Sequence, residues 1–309
     1  MNSSSRLFPV SLMNADFAGE LHEDVYQLNP GVSPDRTLRI NITRVTDPST
    51  PGYRQPVILL HSEFNNRRQW LTPEGEGFAA VLARVGFDVW LPEARGHGLS
   101  PDHDRWSANT LSVSASEDLP AIQAFVAEQS GTEPIWVGAE LGGLALAYAL
   151  THDPRMAETA AGAAFIDVAT AHWLSNLGRL GLKQRWQMKR AGFADGMAFN
   201  WGPEREPWSL FAELYQWRRL AKKSQHPVYD RLETLRLPVF LLAVKDSERD
   251  THILQSRFKT DSIASAVAAP GAAEAALGGK TGSVRQWLQE KAGTTTSKTS
   301  DSHVSLTSS

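Results

Sequence analysis

The sequence predicts an α/β protein with a mostly parallel central sheet, flanking helices and an inserted helical cap. Short apolar runs alternate with amphipathic segments along most of the chain, the order expected for parallel strands joined by helical crossovers. One of these runs, Ile135–Val137, changes into a small-residue helical pattern within four residues. Between Val168 and Pro238 about 70 residues are rich in tryptophan and show no strand pattern. That length exceeds what a crossover needs, which indicates an insertion.

The individual elements follow from the local hydrophobic pattern. Continuous apolar runs are typical of strands buried on both faces, and they occur at Pro56–His61, Phe87–Leu91, Gly162–Val168 and Pro238–Val244. Leu38–Val45 instead alternates apolar and polar residues, which predicts a half-buried antiparallel edge strand. We expect the last strand at Ile263–Ala269. Helical spacing of apolar residues predicts helices at Gly77–Val85, Ser114–Gln129 and Gly282–Lys291.

These elements divide the chain into four parts. Residues 36–168 and 238–291 form the α/β core, and residues 169–237 form the helical cap. Residues 1–35 show no clear pattern, and we expect an arm that lies over the surface. Residues 292–309 are rich in serine and threonine, which predicts a disordered tail.

Composition excludes several classes of function. The chain has 309 residues, a net charge of −3 and no cysteine. The charge gives no general attraction to nucleic acid, and the missing thiols exclude disulfides, a cysteine nucleophile and cysteine-ligated metals. No apolar run reaches membrane-spanning length. Without a signal-peptide pattern at the N-terminus, we expect a cytoplasmic protein.

The strand-to-helix junction carries the strongest motif. Gly138, Glu140 and Gly142 have the spacing of a nucleophile elbow, Gly-x-Ser-x-Gly. In such an elbow the central side chain is raised above the sheet edge, and here that residue is glutamate.

With its neighbours, this motif resembles the α/β-hydrolase superfamily, in particular the lipase- and esterase-like members with a helical cap. The segments that carry the resemblance occur in the expected order and spacing: His61 with Trp70, Gly86–Pro92, Arg95–Ser100, Glu117–Ala121 and the elbow. The resemblance covers about Pro56 to Leu150, with weaker agreement after Pro238.

The resemblance implies positions for a catalytic triad, and two of them are substituted. The nucleophile position falls at Glu140, and the acid position at Asp246, with Asp250 as the alternative. The histidine position falls at or near Glu274, and the sequence has no histidine between His252 and His303. Conventional serine-hydrolase activity is therefore not expected.

The resemblance also implies an oxyanion loop and a pocket. The backbone N–H groups of Glu63 and Leu141 fall at the oxyanion-hole positions, and His61, Arg95 and His97 fall around the pocket. Converging carboxylates at residues 63, 140, 246 and 274 require compensation. A protonated carboxyl, an arginine (Arg67, Arg68 or Arg95), a cationic ligand group or a divalent metal would each provide it. We predict no cofactor, and no recognised metal-ligand spacing is present.

Three functional hypotheses remain open. The first is a catalytically degenerate hydrolase homologue that binds a small apolar or amphipathic ligand between sheet and cap. The second is an active hydrolase for esters, epoxides or carbon–halogen bonds that uses Glu140 with Glu274 as base. The third is an interaction protein whose basic cap, with Lys183, Arg185, Lys189 and Arg190, contacts a membrane surface or another protein.

Overall fold

A nine-stranded sheet lies at the centre of the molecule. The computed structural model describes residues 5–50, 55–168, 180–244, 248–259, 263–268 and 282–304. In spatial order the strands are β1-β2-β3-β5-β4-β6-β7-β10-β11, antiparallel up to the β3–β5 pair and parallel from β5 to β11. Their bounds are β1 Val10–Ala18, β2 Leu21–Leu28, β3 Ile40–Thr46, β4 Pro56–Leu60, β5 Asp88–Pro92, β6 Ile135–Ala139, β7 Gly162–Ile166, β10 Val239–Val244 and β11 Ile263–Ala268. The predicted mostly parallel α/β sheet is confirmed.

Helices cover both faces of this sheet. Successive side chains of a strand point to opposite faces, so Ile58 of β4 belongs to one apolar cluster and its neighbours Val57 and Leu59 to the other. The helices of the core are α1 Phe78–Arg84, α2 Leu111–Ser130, α3 Glu140–His152, α4 Pro154–Glu158, α8 Glu248–Arg257 and α9 Ser283–Val304. Helices α2 and α3 pack within the first cluster, whereas α1 and α9 pack within the second. Both faces of the inner parallel strands β4, β5, β6, β7 and β10 are therefore buried, which explains their uninterrupted apolar runs.

We expected residues 1–35 to form a surface arm, and the structure shows that this prediction is wrong. Residues 10–28 form a hairpin, β1–β2, that extends the sheet, and β2 pairs along the whole of β3. Strand β3 is therefore internal, and its polar residues Asn41 and Thr43 are buried together with its apolar ones. The pattern of β1 gives little signal because most of its residues are exposed on both faces.

The inserted cap is mostly helical, but it also contains a small hairpin that its sequence did not indicate. Its helices are α5 Leu182–Ala191, α6 Gly196–Phe199 and α7 Trp208–Ala221, and a short 3-10 helix spans Tyr229–Thr234. Strands β8 Phe193–Asp195 and β9 Arg205–Pro207 pair antiparallel. Three residues are too few to show a period of two, so the hairpin is missed from sequence. The beginning of the predicted cap, residues 169–179, lies outside the described residues.

Helix α9 continues to Val304, so residues 292–304 are helical where we expected disorder. Its first turns are anchored on the sheet by Val284, Trp287 and Leu288. Extending a helix that is already formed is easier than nucleating a new one. Within the described part of the chain, no helix combines the length and apolar character that crossing a membrane requires.

Candidate functional site

The chain turns sharply from β6 into α3 at Glu140, as the glycine spacing predicts. Glu140 adopts a left-handed backbone conformation with φ of 48°, which is uncommon for residues other than glycine. The crossing is tight, because a Cβ on Gly138 would lie 2.7 Å from Gly143 Cα and one on Gly142 would lie 2.1 Å from the His61 carbonyl oxygen. Side chains at these positions are excluded by the backbone itself. The corner therefore retains elbow geometry although its central residue is an acid.

The Glu63 side chain binds backbone N–H groups at the junction of β6 and α3. Leu141, the residue after the elbow position, donates its backbone N–H to Glu63 Oε2 at 2.9 Å. The Glu63 backbone N–H also hydrogen-bonds the Glu63 carboxyl. These are the two N–H groups that the resemblance to α/β-hydrolases places at the oxyanion-hole positions. Here a carboxyl group from the same chain satisfies both.

The buried Glu63 and the half-buried Glu140 form a pair of acids. Burial is the main reason that the pKa of Glu63 lies well above its usual range, and the Glu140 carboxyl, which also hydrogen-bonds it, raises it further. Two carboxyl groups can share a hydrogen bond only if one of them is protonated. Of the compensations considered from sequence, a protonated carboxyl is therefore the one that this geometry favours.

The three candidate arginines are paired elsewhere, contrary to one of our sequence-based alternatives. Arg95 binds Asp118 through two hydrogen bonds of 2.7 and 2.6 Å and also binds Glu117. Arg67 bridges Glu23 and Glu93, and Arg68 lies 3.7 Å from the Glu23 carboxylate. Burial raises the pKa of Asp118 to about 6 in spite of the opposing effect of Arg95. These arginines stabilise buried acids around the site.

His61 is neutral and supports the loop of residues 61–65, which we call the oxyanion loop because of its position in the resemblance. Its Nε2 accepts the Ala94 backbone N–H at 3.0 Å, which leaves Nδ1 to donate to the Ser62 carbonyl oxygen at 2.7 Å. Burial, followed by the neighbouring His97, lowers the pKa of His61 to about 4. His61 is therefore an uncharged structural contact at the base of the Glu63 loop.

His97 has the opposite charge state and connects the core to the cap. Its ring stacks on that of His61 at 5.4 Å between centroids. Its Nδ1 donates to the Asn65 carbonyl oxygen at 2.8 Å, and its Nε2 lies 3.6 Å from Glu206 Oε1. Burial alone would lower the pKa of His97, but the Glu206 carboxylate overcomes this effect and raises it to about 9. His97 is therefore protonated near neutral pH.

The cap hairpin supplies two acids that sequence analysis missed. Glu206 of β9 accepts the Phe64 N–H at 3.1 Å, and Glu204 accepts the Gly98 N–H at 2.9 Å. The Glu204 backbone N–H in turn donates to the Phe64 carbonyl oxygen at 3.0 Å. The alternation of Glu204, Arg205 and Glu206 is the only sequence signal for this arrangement. The hairpin thus fixes the oxyanion loop directly.

A cavity of about 100 Å³ lies between helix α2, the oxyanion loop and the cap. Its wall is mostly apolar, and Glu63 is one of its polar residues. The predicted pocket residues His61, Arg95 and His97 also line it. The apolar lining residues are Ile40, Leu60, Pro92, Leu111, Leu119, Ile122, Leu141, Ala145, Pro207 and Leu210.

The other two predicted catalytic positions cannot be placed. Asp246 and Glu274 lie outside the described residues, as does the side chain of Asp250. Among the residues that the structure does describe, no group of three or more His, Asp or Glu has an arrangement that would hold a metal ion.

Comparison with known proteins identifies the scaffold. The sequence profile of the alpha/beta hydrolase family matches residues 57–292. Human lipase member M is 30% identical over 100 residues, which is 30% of this chain and 24% of that protein. The chain thus spans about a quarter of the length of this curated relative.

Solved structures share the fold at low identity. Mouse alpha/beta hydrolase domain-containing protein 10 superimposes with a TM-score of 0.56 at 17% identity, covering 84% of this chain and 97% of that one. A putative lipase from Sulfolobus solfataricus gives a TM-score of 0.57 at 14% identity, covering 93% of this chain and 100% of that one. These likenesses establish the fold of the chain.

Proposed function

The chain belongs to the alpha/beta hydrolase family, and we propose that it lacks the acyl-transfer chemistry of its relatives and binds a small, largely apolar ligand beneath its cap. The observation that carries this proposal is the 2.9 Å hydrogen bond from the Leu141 N–H to Glu63 Oε2. Acyl transfer requires donors that are directed at the oxygen of the tetrahedral intermediate. Here those donors already bind a carboxyl group, so an incoming carbonyl oxygen meets an acid instead.

The nucleophile position supports the same conclusion. Glu140 shares a hydrogen bond with Glu63, and attack of a carboxylate on an ester would form an anhydride. The two changes act together, because a serine at position 140 would still lack both the oxyanion donors and a histidine partner between residues 253 and 302. Loss of the nucleophile or the histidine alone lowers kcat by about 10⁶ in a serine hydrolase.

The mostly apolar wall of the cavity favours ligand binding. Ligand sites are typically concave and apolar, with a few polar groups that orient the ligand, and Glu63 provides such a group here. A cavity of about 150 Å³ is large enough for benzene, so about 100 Å³ suits a body of roughly four or five carbons.

Turnover tests the catalytic part of the proposal. We expect no hydrolysis above buffer for a panel of p-nitrophenyl esters, epoxides and haloalkanes. Hydrolysis that Glu140→Gln abolishes, and that the exposed control Glu158→Gln retains, would replace our proposal by the nonstandard carboxylate mechanism. Glu158 is a suitable control because it is exposed on α4 and carries the same charge.

Binding of small neutral probes tests the ligand part. We expect n-butanol to raise the thermal midpoint of the protein, and Ala145→Leu, which places a larger side chain in the cavity wall, to remove that response. Ala191→Leu is the control, since Ala191 is exposed at the end of α5. Equal responses of the two variants would contradict binding in this cavity.

A second candidate function is favoured by the outer face of the cap. On α5, Leu182 is 83% exposed and Trp186, one turn later, is 59% exposed. The exposed residues Lys183, Lys189 and Arg190 lie on the same helix. Exposed apolar residues together with basic ones are typical of helices that lie on anionic lipid surfaces. We propose that this helix docks on such a surface.

Sedimentation with vesicles tests this docking. We expect binding to vesicles that contain phosphatidylserine, weaker binding to phosphatidylcholine alone, and a decrease with salt. Trp186→Ala should weaken binding severalfold, whereas Phe17→Ala, at a 60% exposed aromatic on the N-terminal hairpin, should not. Unchanged binding after Lys183, Lys189 and Arg190 are replaced by alanine would exclude electrostatic docking through α5.

A further inference from the structure

Of the described acids that line the cavity, all but Glu63 are paired with a cation. Glu93 lies 3.2 Å from Arg67, Asp118 lies 2.6 Å from Arg95, and Glu206 lies 3.6 Å from His97. For Glu63, the neighbouring ionisable group among the described residues is a second acid, Glu140. Among the residues that the structure describes, Glu63 is therefore not accompanied by a positive charge, unlike Glu93, Asp118 and Glu206.

One oxygen of the Glu63 carboxyl group receives no hydrogen bond from an N–H or hydroxyl group among the described residues. Glu63 is 5% exposed, and its Oε1 is fully buried and accepts no N–H or hydroxyl hydrogen from the residues that the structure describes. Its Oε2, by contrast, accepts the Leu141 N–H. A buried oxygen without a donor is unfavourable. In the unliganded protein, the proton shared with Glu140 offsets part of this.

From this arrangement we propose that the Glu63–Glu140 pair binds the ammonium group of a small aliphatic amine whose carbon chain fills the apolar cavity. This inference rests on the proposed function and specifies the chemical class of its ligand. The ammonium donates to the Glu63 carboxylate, and the proton that the two acids shared leaves to solvent. The ammonium group brings one positive charge and the departing proton removes one, so the net charge of the site is unchanged.

This preference is the reverse of that expected for an acyl-transfer site. An oxyanion hole stabilises negative charge with N–H donors, whereas a carboxylate ligand would here add a third acid beside two. Like charges a few Å apart in a buried site are strongly unfavourable. Among compounds with the same carbon skeleton, we therefore expect the amine to bind best, the alcohol less well and the carboxylic acid worst.

Proton release gives the binding a characteristic pH dependence. The groups that line the cavity are His61, Glu93, Arg95, His97, Asp118 and Glu206. Apart from the neutral His61, each is in an ion pair, and Asp118, with a pKa of about 6, is ionised above about pH 7. Above that pH we therefore assign the exchanged proton to Glu63. An aliphatic amine stays protonated to about pH 10. Its affinity should therefore rise up to tenfold per pH unit while Glu63 is protonated in the free protein.

Calorimetric titration of the full chain tests the inference. The probes are n-butylamine, n-butanol and butyrate, each titrated in phosphate and in HEPES, two buffers with different enthalpies of ionisation. We expect n-butylamine to bind at least tenfold more tightly than n-butanol and to release about one proton. Glu63→Gln should abolish the proton release and weaken amine binding tenfold or more, whereas Glu158→Gln should change neither.

The outcomes separate this inference from the proposed function. If n-butanol and n-butylamine bind equally and no proton is released, the amine inference is overturned and the apolar ligand site stands. If butyrate binds best, the inference is likewise overturned. If none of the probes binds, both proposals fail. The proton count on the unmodified protein decides the matter even if Glu63→Gln does not fold.

Discussion

The protein should lose stability as the pH rises, because His97 then loses its proton. Removing the charge of Glu206 should abolish most of this loss. Glu206 raises the pKa of His97 to about 9 against the opposing effect of burial, whereas an ordinary histidine titrates near 6.5. A group with a raised folded-state pKa stabilises the fold fully below its unfolded pKa, and this contribution is lost as the pH rises through the folded pKa. The window for His97 therefore runs from about pH 6.5 to about 9.

The magnitude follows from the width of that window. At about 1.4 kcal/mol per pH unit, the contribution of His97 amounts to about 3 kcal/mol. Solvent screening does not reduce it much, because the His97 side chain is 2% exposed and that of Glu206 is 10% exposed. Glutamine at position 206 keeps an oxygen that can accept the Phe64 N–H, so Glu206→Gln removes mainly the charge.

The assay is urea unfolding of the wild type, Glu206→Gln and Glu204→Gln at about pH 6.5 and pH 9. Between these values the free energy of unfolding should fall by about 3 kcal/mol less in Glu206→Gln than in the wild type. Glu204→Gln, two positions earlier in the chain and just before β9, should resemble the wild type more closely. The raised pKa of Glu63 also makes all three proteins less stable as the pH rises. The test is therefore the difference between the variants in how far the free energy of unfolding falls. An identical decline in the wild type and Glu206→Gln would refute the reasoning.

Two further predictions concern the framework of the site, and both are measured by chemical denaturation. Gly142→Ala should destabilise the protein by about 3 kcal/mol or more, because its Cβ would lie 2.1 Å from the His61 carbonyl oxygen. Gly293→Ala, whose Cβ meets nothing within 4 Å in a helix, should instead stabilise it by about 0.5–1 kcal/mol. Arg95→Met should destabilise by about 3–5 kcal/mol because it leaves Asp118 buried without its partner. Adding Asp118→Leu should recover most of that loss, and a double variant as unstable as the single one would contradict the explanation.

The elbow could be predicted from sequence because backbone sterics fix it. Gly138 and Gly142 stand where a Cβ would overlap crossing backbone, so their spacing alone identifies the corner. The parallel strands were equally predictable, since burial on both faces produces uninterrupted apolar runs. The β1–β2 hairpin was not, because its outer strand is largely exposed and gives no alternating pattern.

The chemistry of the site was only partly predictable. Glu63 was recognised as a member of the oxyanion loop, but its side chain accepts an N–H from a residue 78 positions later in the chain. Such a contact depends on the side-chain rotamer and on how the two loops meet. Glu206 was missed for the same reason, since it binds Phe64 across 142 positions. Sequence patterns report local periodicity and do not specify these long-range pairings.

The hydrogen bond from the Leu141 N–H to the Glu63 carboxyl group also affects how this chain responds to reagents that trap serine hydrolases. Phosphonates and boronic acids act as such traps because they place a charged oxygen against the same two backbone amides after bonding to the serine. Here Glu63 already occupies that position, and residue 140 offers no hydroxyl. Such reagents are expected to leave the chain unlabelled, and a serine introduced at position 140 alone should stay unlabelled as well.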